Sequence, residues 1–294
     1  MAKSEPIKHH YIPQFILRNF VDENGYLNFF DKRKQKVEYL LPKDVFVIKD
    51  LYRDDKNNPL LPVEIEKDLS SLENQASVII KKFMNGNEII ISKKEEQILR
   101  VFLFVMCFRS KRTKDSFVKN ISEFDKSLYS QFQKDGNMES WWKRNLGALA
   151  KCRNDNDVLE NNDIDPFVKC YFSLDTNGLL GSYFMIYRIK GKDKLILSDT
   201  YPLTDTYTNG LFMKLKNFYM PISPERILIL VKNFFGNLPP SYLLPNEQFL
   251  IRPIEKDDKY IYKVGKQFKN FVQEFNGCCI NDSVTGYILP NNVQ

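Results

Sequence analysis

The spacing of apolar residues changes along this chain, and that change constrains the fold more than any other feature. From about residue 62 to residue 83 apolar residues recur every three or four positions, which is typical of an amphipathic helix. Beyond residue 165 they form short aromatic-rich runs separated by charged or Gly/Asn turns, as in SYFMIYRI and RILILVK. The two patterns together predict an α+β protein with a mainly antiparallel sheet in its C-terminal half.

Local signals add the remaining elements. The segment GYLNFFDKRKQKVEYL predicts an N-terminal β-hairpin, and Ser92 with Glu95 has the spacing of a capping box that opens a second long helix. Further helices are expected from about residue 113 to 150 and, closing the fold, from Asp257 to Phe275. The polar stretch 153–166 is interpreted as a linker or surface loop. We expect a single domain over residues 1–294, which could be subdivided into 1–152 and 165–294.

Composition excludes several classes of protein. The chain has 23 Phe and 15 Tyr but only 12 Gly, and it contains neither a Walker A nor a dinucleotide-binding motif. The five cysteines are odd in number and lack CxxC spacing, which argues against a disulfide framework or a structural zinc site. The net charge of +6 is compatible with a nucleic-acid partner. No secretory signal and no apolar run of membrane-spanning length is found, so a cytoplasmic location without membrane association is expected. The oligomeric state is left open.

The opening segment KHHYIPQFILRNF resembles the start of a large bacterial family known as domain of unknown function 4238. The resemblance is carried by matching residues at eight positions: His9, His10, Tyr11, Pro13, Phe15, Leu17, Arg18 and Phe20. Membership would imply a shared fold and a shared site, but no reaction.

Further segments are similar to the same family in order and spacing. The helix IEKDLSSLENQA resembles its glutamate-bearing helix, on which Glu66 and Glu73 fall. Arg109 follows an apolar run, as an arginine of the family does, and Ser198 with Asp199 ends a strand in LILSDTYPL. The segment FYMPISPERILIL resembles the entry to the next strand. The resemblance covers the chain from His9 to about residue 230.

The two histidines of the chain stand side by side. In an extended segment His9 and His10 point to opposite sides, so at most one of them would serve a given site. That histidine could act as a general base or bind a metal. The alternative is a ring that hydrogen-bonds the backbone and holds the N-terminal segment on the helices.

Three charged residues on the predicted helices have both a functional and a structural interpretation. Glu73 could be a metal ligand or a general base, or it could form an ion pair with Arg109. Arg109 could clamp an anionic substrate, or it could pair with an acid or cap its helix. For Glu66 exposed surface is the favoured interpretation. Arg112, in the basic cluster RSKR, and Arg18 are candidates for substrate binding.

The strand end at Ser198 and Asp199 is the remaining candidate. Asp199 could bind a divalent cation such as Mg²⁺ or Mn²⁺ together with Glu73 and one histidine, or it could close the strand as an Asx turn. Ser198 is a candidate for substrate binding but lacks the Gly-x-Ser-x-Gly context of a nucleophile.

The resulting hypothesis is a metal-assisted phosphodiester hydrolase, a nuclease that bacteria would use in defence or conflict. In this hypothesis His9 or His10, Glu73 and Asp199 activate water and Arg109 stabilises charge on the phosphate. The alternative is a ligand-binding or structural protein in which the same residues form a buried ion network. The two interpretations differ in whether these residues meet at one open pocket.

Overall fold

A computed structural model of the chain describes residues 8–53, 63–110, 114, 138–172, 182–209, 213–232, 253–267 and 269–291. The described helices are α1 (Gln14–Leu17), α2 (Glu64–Phe83), α3 (Lys93–Arg109), α4 (Met138–Lys151), α5 (Asp155–Glu160), α6 (Pro166–Phe172) and α7 (Lys269–Asp282), with a 3₁₀ turn at Pro42–Asp44. The described strands are β1 (Lys8–His10), β2 (Leu27–Asp31), β3 (Lys36–Leu40), β4 (Val47–Lys49), β5 (Glu88–Ser92), β6 (Ser182–Ile189), β7 (Leu197–Ser198), β8 (Leu203–Asn209), β9 (Met213–Ser223), β10 (Arg226–Lys232), β11 (Ile254–Lys256), β12 (Lys259–Lys263), β13 (Gly265–Gln267) and β14 (Gly286–Leu289).

The strands form four sheets, and this arrangement confirms the α+β class. The largest has the order β13-β6-β10-β9-β8 and is antiparallel except for the β13–β6 pair. A four-stranded sheet has the order β3-β2-β14-β7, a three-stranded sheet the order β11-β12-β5, and β1 pairs with β4. The predicted N-terminal hairpin is β2–β3, and the predicted strands of the C-terminal half include β6, β9 and β10.

The long helices form as their sequences predict, and they carry the candidate site. On α2 the apolar stripe Ile65, Leu69, Leu72, Ala76 and Ile79 is buried. The Ser92 hydroxyl accepts a hydrogen bond from the Glu95 backbone at 3.2 Å and the Glu95 carboxylate accepts one from the Ser92 backbone, which completes the predicted capping box of α3. Helix α2 packs against both α3 and α4.

Strands from the two halves of the chain pair with each other. Strand β14 lies between β2 and β7, and β12 lies between β11 and β5. The Arg226 guanidinium on β10 donates to the backbone carbonyls of Phe83 and Gly86 at the end of α2. The pairing favours one domain over a division near residues 152–165, and the single domain stays a prediction.

The prediction of a helix from Asp257 to Phe275 is wrong in its first half. Residues 254–267 form β11, β12 and β13, and the helix runs from Lys269 to Asp282. In KYIYK, Tyr262 is buried, Tyr260 and Ile261 are half-buried, and the two lysines at the ends are exposed. Apolar residues of this segment also fall at helical spacing. Residues 259–263 nevertheless form a strand, because they pair with β5.

Two further predictions need adjustment. The stretch 153–166 is not a plain loop, because it contains α5, which Asn154 and Asp157 open with a capping box. Of the helix predicted for 113–150, the structure describes α4, whereas most of residues 111–137 lies outside the described part. No helix among the described residues is long and apolar enough to cross a membrane.

Candidate functional site

The fold brings Arg109 from the end of α3 against the acidic face of α2. Glu66 and Glu73 are seven residues apart, two helical turns, so they lie on the same face of α2. The guanidinium Nη1 of Arg109 donates to Glu73 Oε1 at 2.6 Å. Arg109 is 1% exposed, and its Cζ lies 6.0 Å from the centre of the Tyr52 ring. The ion pair predicted as the structural alternative is therefore present.

The guanidinium has donors that this ion pair does not use. Within the described part of the chain, Arg109 Nε and Nη2 are buried and have no hydrogen-bond partner. Buried N–H groups without acceptors are costly, and natural proteins rarely leave them so. An arginine fork with two unused donors has the chemistry to bind an anionic group, and the 1% exposure of Arg109 closes this fork to solvent in the structure.

Glu66 is the second unusual group, and the structure does not place it as plain surface. Burial raises its pKa to about 7, Arg109 lowers it, and the negative charge of Glu73 raises it again. Glu66 also lines an open pocket of about 770 Å³ along the N-terminal half of α2, with Lys67, Ser70 and Asn74. A carboxyl group that titrates near neutrality beside solvent is suited to proton transfer.

His10 lies within electrostatic reach of Arg109 and is held in place through both ring nitrogens. Its Nε2 donates to the carbonyl of Pro42 at 3.1 Å, and its Nδ1 lies 3.4 Å from Gln14 Nε2. Burial lowers the pKa of His10 below its ordinary value; the hydrogen bond to Pro42 opposes this shift, and the positive charge of Arg109 adds to it. Arg18 is exposed and donates to Gln14 Oε1 at 3.1 Å, which connects it to His10 through that glutamine.

His9 has the structural role that the sequence left as its alternative. It is fully buried, its Nδ1 accepts a hydrogen bond from the Tyr52 backbone at 2.9 Å, and its ring stacks on the Tyr52 ring at 5.3 Å. The Tyr52 hydroxyl donates to the His10 carbonyl at 3.0 Å. The two histidines thus hold Tyr52 in place beside Arg109. We call Arg109, Glu73, Glu66, Tyr52 and His10 the Arg109 cluster.

Asp199 belongs to a different network. Its carboxylate accepts hydrogen bonds from the Val284 backbone at 3.0 and 3.2 Å, from the Thr285 backbone at 2.5 Å and from the Thr285 hydroxyl at 2.6 Å. These bonds attach the end of β7 to the turn between α7 and β14. The carboxylate is buried and its oxygens are occupied, so its observed role is to join these two segments.

Ser198 is not placed at the cluster either. Ser198 is buried, and its hydroxyl lies 2.7 Å from the Thr200 hydroxyl. Arg112 lies outside the described residues. Among those that are described, no three His, Cys, Asp or Glu side chains are grouped so that they could hold a metal ion. The predicted metal site from one histidine, Glu73 and Asp199 is therefore not formed, because Glu73 bonds to Arg109 and Asp199 to residues 284–285.

Sequence reasoning missed Tyr52 and undervalued Glu66. Tyr52 follows no motif, and its place depends on contacts with His9 and Arg109 that only the packed fold creates. For Glu66 the available signal was its spacing from Glu73, which puts both carboxylates on one side of α2. Like charges on one partly buried face perturb each other's pKa, so this spacing could have identified Glu66 as a candidate.

If Asp199 is a structural residue, Asp199→Asn is expected to lower the free energy of unfolding by about 2 to 4 kcal/mol, because an amide cannot accept all the bonds at this turn. Chemical denaturation would measure the loss, and Thr285→Val, which removes only one of the donors, is expected to cost about 1 kcal/mol. Folded Asp199→Asn protein is expected to keep any hydrolase activity that the parent has. A variant as stable as the parent but inactive would instead support the catalytic role predicted from the sequence.

Comparison with known proteins gives a family and no activity. A family model described as "Protein of unknown function (DUF4238)" matches residues 8–289, nearly the whole chain. A search of curated proteins and a search of solved structures each found no match. The matched region includes the histidine doublet, the glutamate-bearing helix, Arg109 and the strand end at Asp199. The chain therefore belongs to the DUF4238 family of proteins of unknown function.

Proposed function

We infer that this protein is a phosphodiester hydrolase, a nuclease, and that the Arg109 cluster is its active site. The observation that carries the proposal is the buried guanidinium of Arg109, whose Nε and Nη2 have no partner among the described residues. An arginine fork matches the oxygens of a phosphate group and binds them with charge-assisted hydrogen bonds. The excess of six positive charges in the chain favours a polyanionic substrate.

Glu66 is suited to be the proton acceptor of the reaction. It lies within electrostatic reach of Arg109 and lines the open pocket, where water and substrate can enter. A general base works best when its pKa lies near the working pH, and burial raises the pKa of Glu66 to about 7. When protonated, Glu66 also removes one negative charge from the place where the phosphate would bind.

The proposed reaction is direct hydrolysis. Arg109 holds a non-bridging oxygen of the phosphate, and Glu66 takes a proton from a water molecule as its oxygen attacks phosphorus. The bond between phosphorus and the leaving sugar oxygen breaks, that oxygen on the opposite side takes up a proton from solvent water, and Glu66 then releases its proton to solvent. Arg109 stabilises the negative charge that builds up on the phosphate oxygens during the step. The Tyr52 ring lies against the guanidinium, and its bonds to His9 and to the His10 carbonyl hold that ring in place.

The test is hydrolysis of end-labelled single-stranded RNA and DNA, with Mg²⁺, Mn²⁺ or EDTA in parallel reactions. Divalent ions are included because phosphate oxygens can themselves supply ligands to a metal, so a metal requirement stays part of the hypothesis. We expect fragments from the parent protein and none from Arg109→Lys, which keeps a positive charge but loses the fork. Intact substrate in every reaction would contradict the proposal. Tight binding without cleavage would instead support the alternative, a protein that only binds an anionic ligand, while a role in bacterial conflict stays a prediction.

A further inference from the structure

The outer surface of the β2–β3 hairpin carries aromatic side chains that the core does not use. Tyr39 is 69% exposed, Val37 42% and Tyr26 41%. Phe30 is half-buried, lies opposite Val37 on β3, and stacks on Tyr287 of β14 at 5.1 Å with an angle of 21° between the rings. We call Tyr26, Phe30, Val37 and Tyr39 the hairpin face.

The alternation along the strands puts these residues on the same side of the sheet. Asn28 pairs with Tyr39 and Phe30 pairs with Val37, so successive pairs on this side lie about 7 Å apart. The opposite side faces the core, where Phe29 packs edge-on against Phe46 at 5.7 Å. Exposed apolar side chains that gather on one face, rather than singly, are typical of a binding surface.

The turn at the tip of the hairpin is basic. Residues 31–38 contain four cations, Lys32, Arg33, Lys34 and Lys36, and two carboxylates, Asp31 and Glu38, so the net charge of the segment is 4 − 2 = +2. Lys34 and Lys36 pair with Glu38. Arg33 is exposed and has no ion-pair partner in the described part of the chain. Lys32 donates to the carbonyls of Ile280 and Ser283, so Arg33 is the cation of this turn that an anionic ligand would meet.

The hairpin is joined in sequence to a residue that holds the Arg109 cluster. Strand β3 ends at Leu40, and the carbonyl of Pro42, two residues on, accepts the hydrogen bond from His10 Nε2. Three residues of extended chain span at most about 10 Å, so Tyr39 lies within that distance of Pro42 along the backbone.

We propose that the hairpin face is a stacking platform that binds single-stranded nucleic acid, with bases on Tyr39 and its neighbours and phosphates beside Arg33. Aromatic rings on a sheet next to basic residues are the usual means of binding unpaired bases, and each stacked base contributes to affinity without sequence preference. A duplex keeps its bases stacked internally, so it cannot use the rings. The choice of ligand rests on the nuclease function proposed above.

The test measures binding separately from cleavage. In the Glu66→Gln background, which leaves the substrate intact, fluorescence anisotropy would follow labelled 12-nucleotide single strands of oligo(dT) and oligo(U) and a duplex of equal length. We expect the single strands to bind at least tenfold more tightly than the duplex. Tyr39→Ala is expected to weaken their binding about tenfold, whereas Tyr39→Phe, which keeps the ring, is expected to match its parent. Arg33→Ala is expected to weaken binding. It is also expected to lower the slope of log affinity against log salt concentration by about the amount that one phosphate contact contributes.

The outcomes separate this proposal from the proposed function. Unchanged affinity in Tyr39→Ala, with its melting temperature equal to that of its parent, would overturn the platform even if the parent protein cleaves nucleic acid. Tyr39-dependent binding without any cleavage would support the platform and count against the nuclease. Strand β3 is an edge strand, so light scattering is needed as well. If Tyr39→Ala changes self-association and leaves oligonucleotide binding as it was, the face joins two copies of the chain and the platform is wrong.

Discussion

Glu66→Gln is expected to lower kcat/KM for single-stranded nucleic acid by at least about a hundredfold, because general-base catalysis contributes on the order of 10² to 10⁴. The substitution keeps the size and shape of the side chain and removes only its ability to take up a proton. In the parent, kcat/KM is expected to rise with pH and to level off above about pH 7, where Glu66 is ionised. The variant is expected to lose this dependence, and pH–rate profiles of both proteins would show it.

The same variant supplies its own control for folding. The pKa of Glu66 is raised from 4.5 to about 7 in the folded protein, so the fold binds the proton more tightly than the unfolded chain does. Ionisation of Glu66 therefore lowers the stability of the parent as pH rises from about 4.5 to 7. Glu66→Gln removes this penalty and is expected to be more stable than the parent by about 1 to 3 kcal/mol at pH 8, and equally stable at pH 4.5. A variant that is less stable than the parent at pH 8 would contradict the electrostatic interpretation, and a stable variant with the kcat/KM of the parent would contradict the catalytic one.

Arg109→Met is expected to lower the free energy of unfolding at pH 7 by about 2 to 4 kcal/mol. The methionine fills a similar volume, but Glu73 loses the partner that lies at 2.6 Å and Glu66 loses the cation that lowers its pKa. Removal of one member of a buried ion pair is costly because the other charge stays behind without compensation. The Glu73 side chain is 24% exposed and keeps some contact with water, which limits the loss.

A double variant separates the lost pair from lost packing. Arg109→Met/Glu73→Leu removes both charges, and we expect it to regain most of the stability that Arg109→Met loses. Urea denaturation of the parent, the two single variants and the double variant would measure the coupling. Lys34→Met, which breaks an ion pair at an exposed turn, is the control and is expected to have no measurable effect. If Arg109→Met is as stable as the parent, the ion pair does not hold α2 against α3.

Patterns that repeat over a few residues could be read from the sequence. The stripe on α2, the capping box of α3 and the alternation in β2 and β3 are local signals, and the structure confirms the elements that they predict. The opening motif from His9 to Phe20 also indicated the family that the match over residues 8–289 shows. Residues 259–263 were predicted as helix because their apolar spacing fits both the helical and the strand period. Only their pairing with β5, about 170 positions earlier in the chain, selects the strand.

Local sequence patterns thus predicted the fold class, most helices and strands, and a short list of charged residues. How those residues are grouped follows only from the packed fold. Arg109 bonds to Glu73 across two packed helices and lies within electrostatic reach of Glu66, whereas Asp199 bonds to the backbone of residues 284–285, some 85 positions away. The physical reason is range: helix and strand periods depend on neighbours along the chain, but burial, ion pairing and a shifted pKa depend on groups that come together only when distant segments pack.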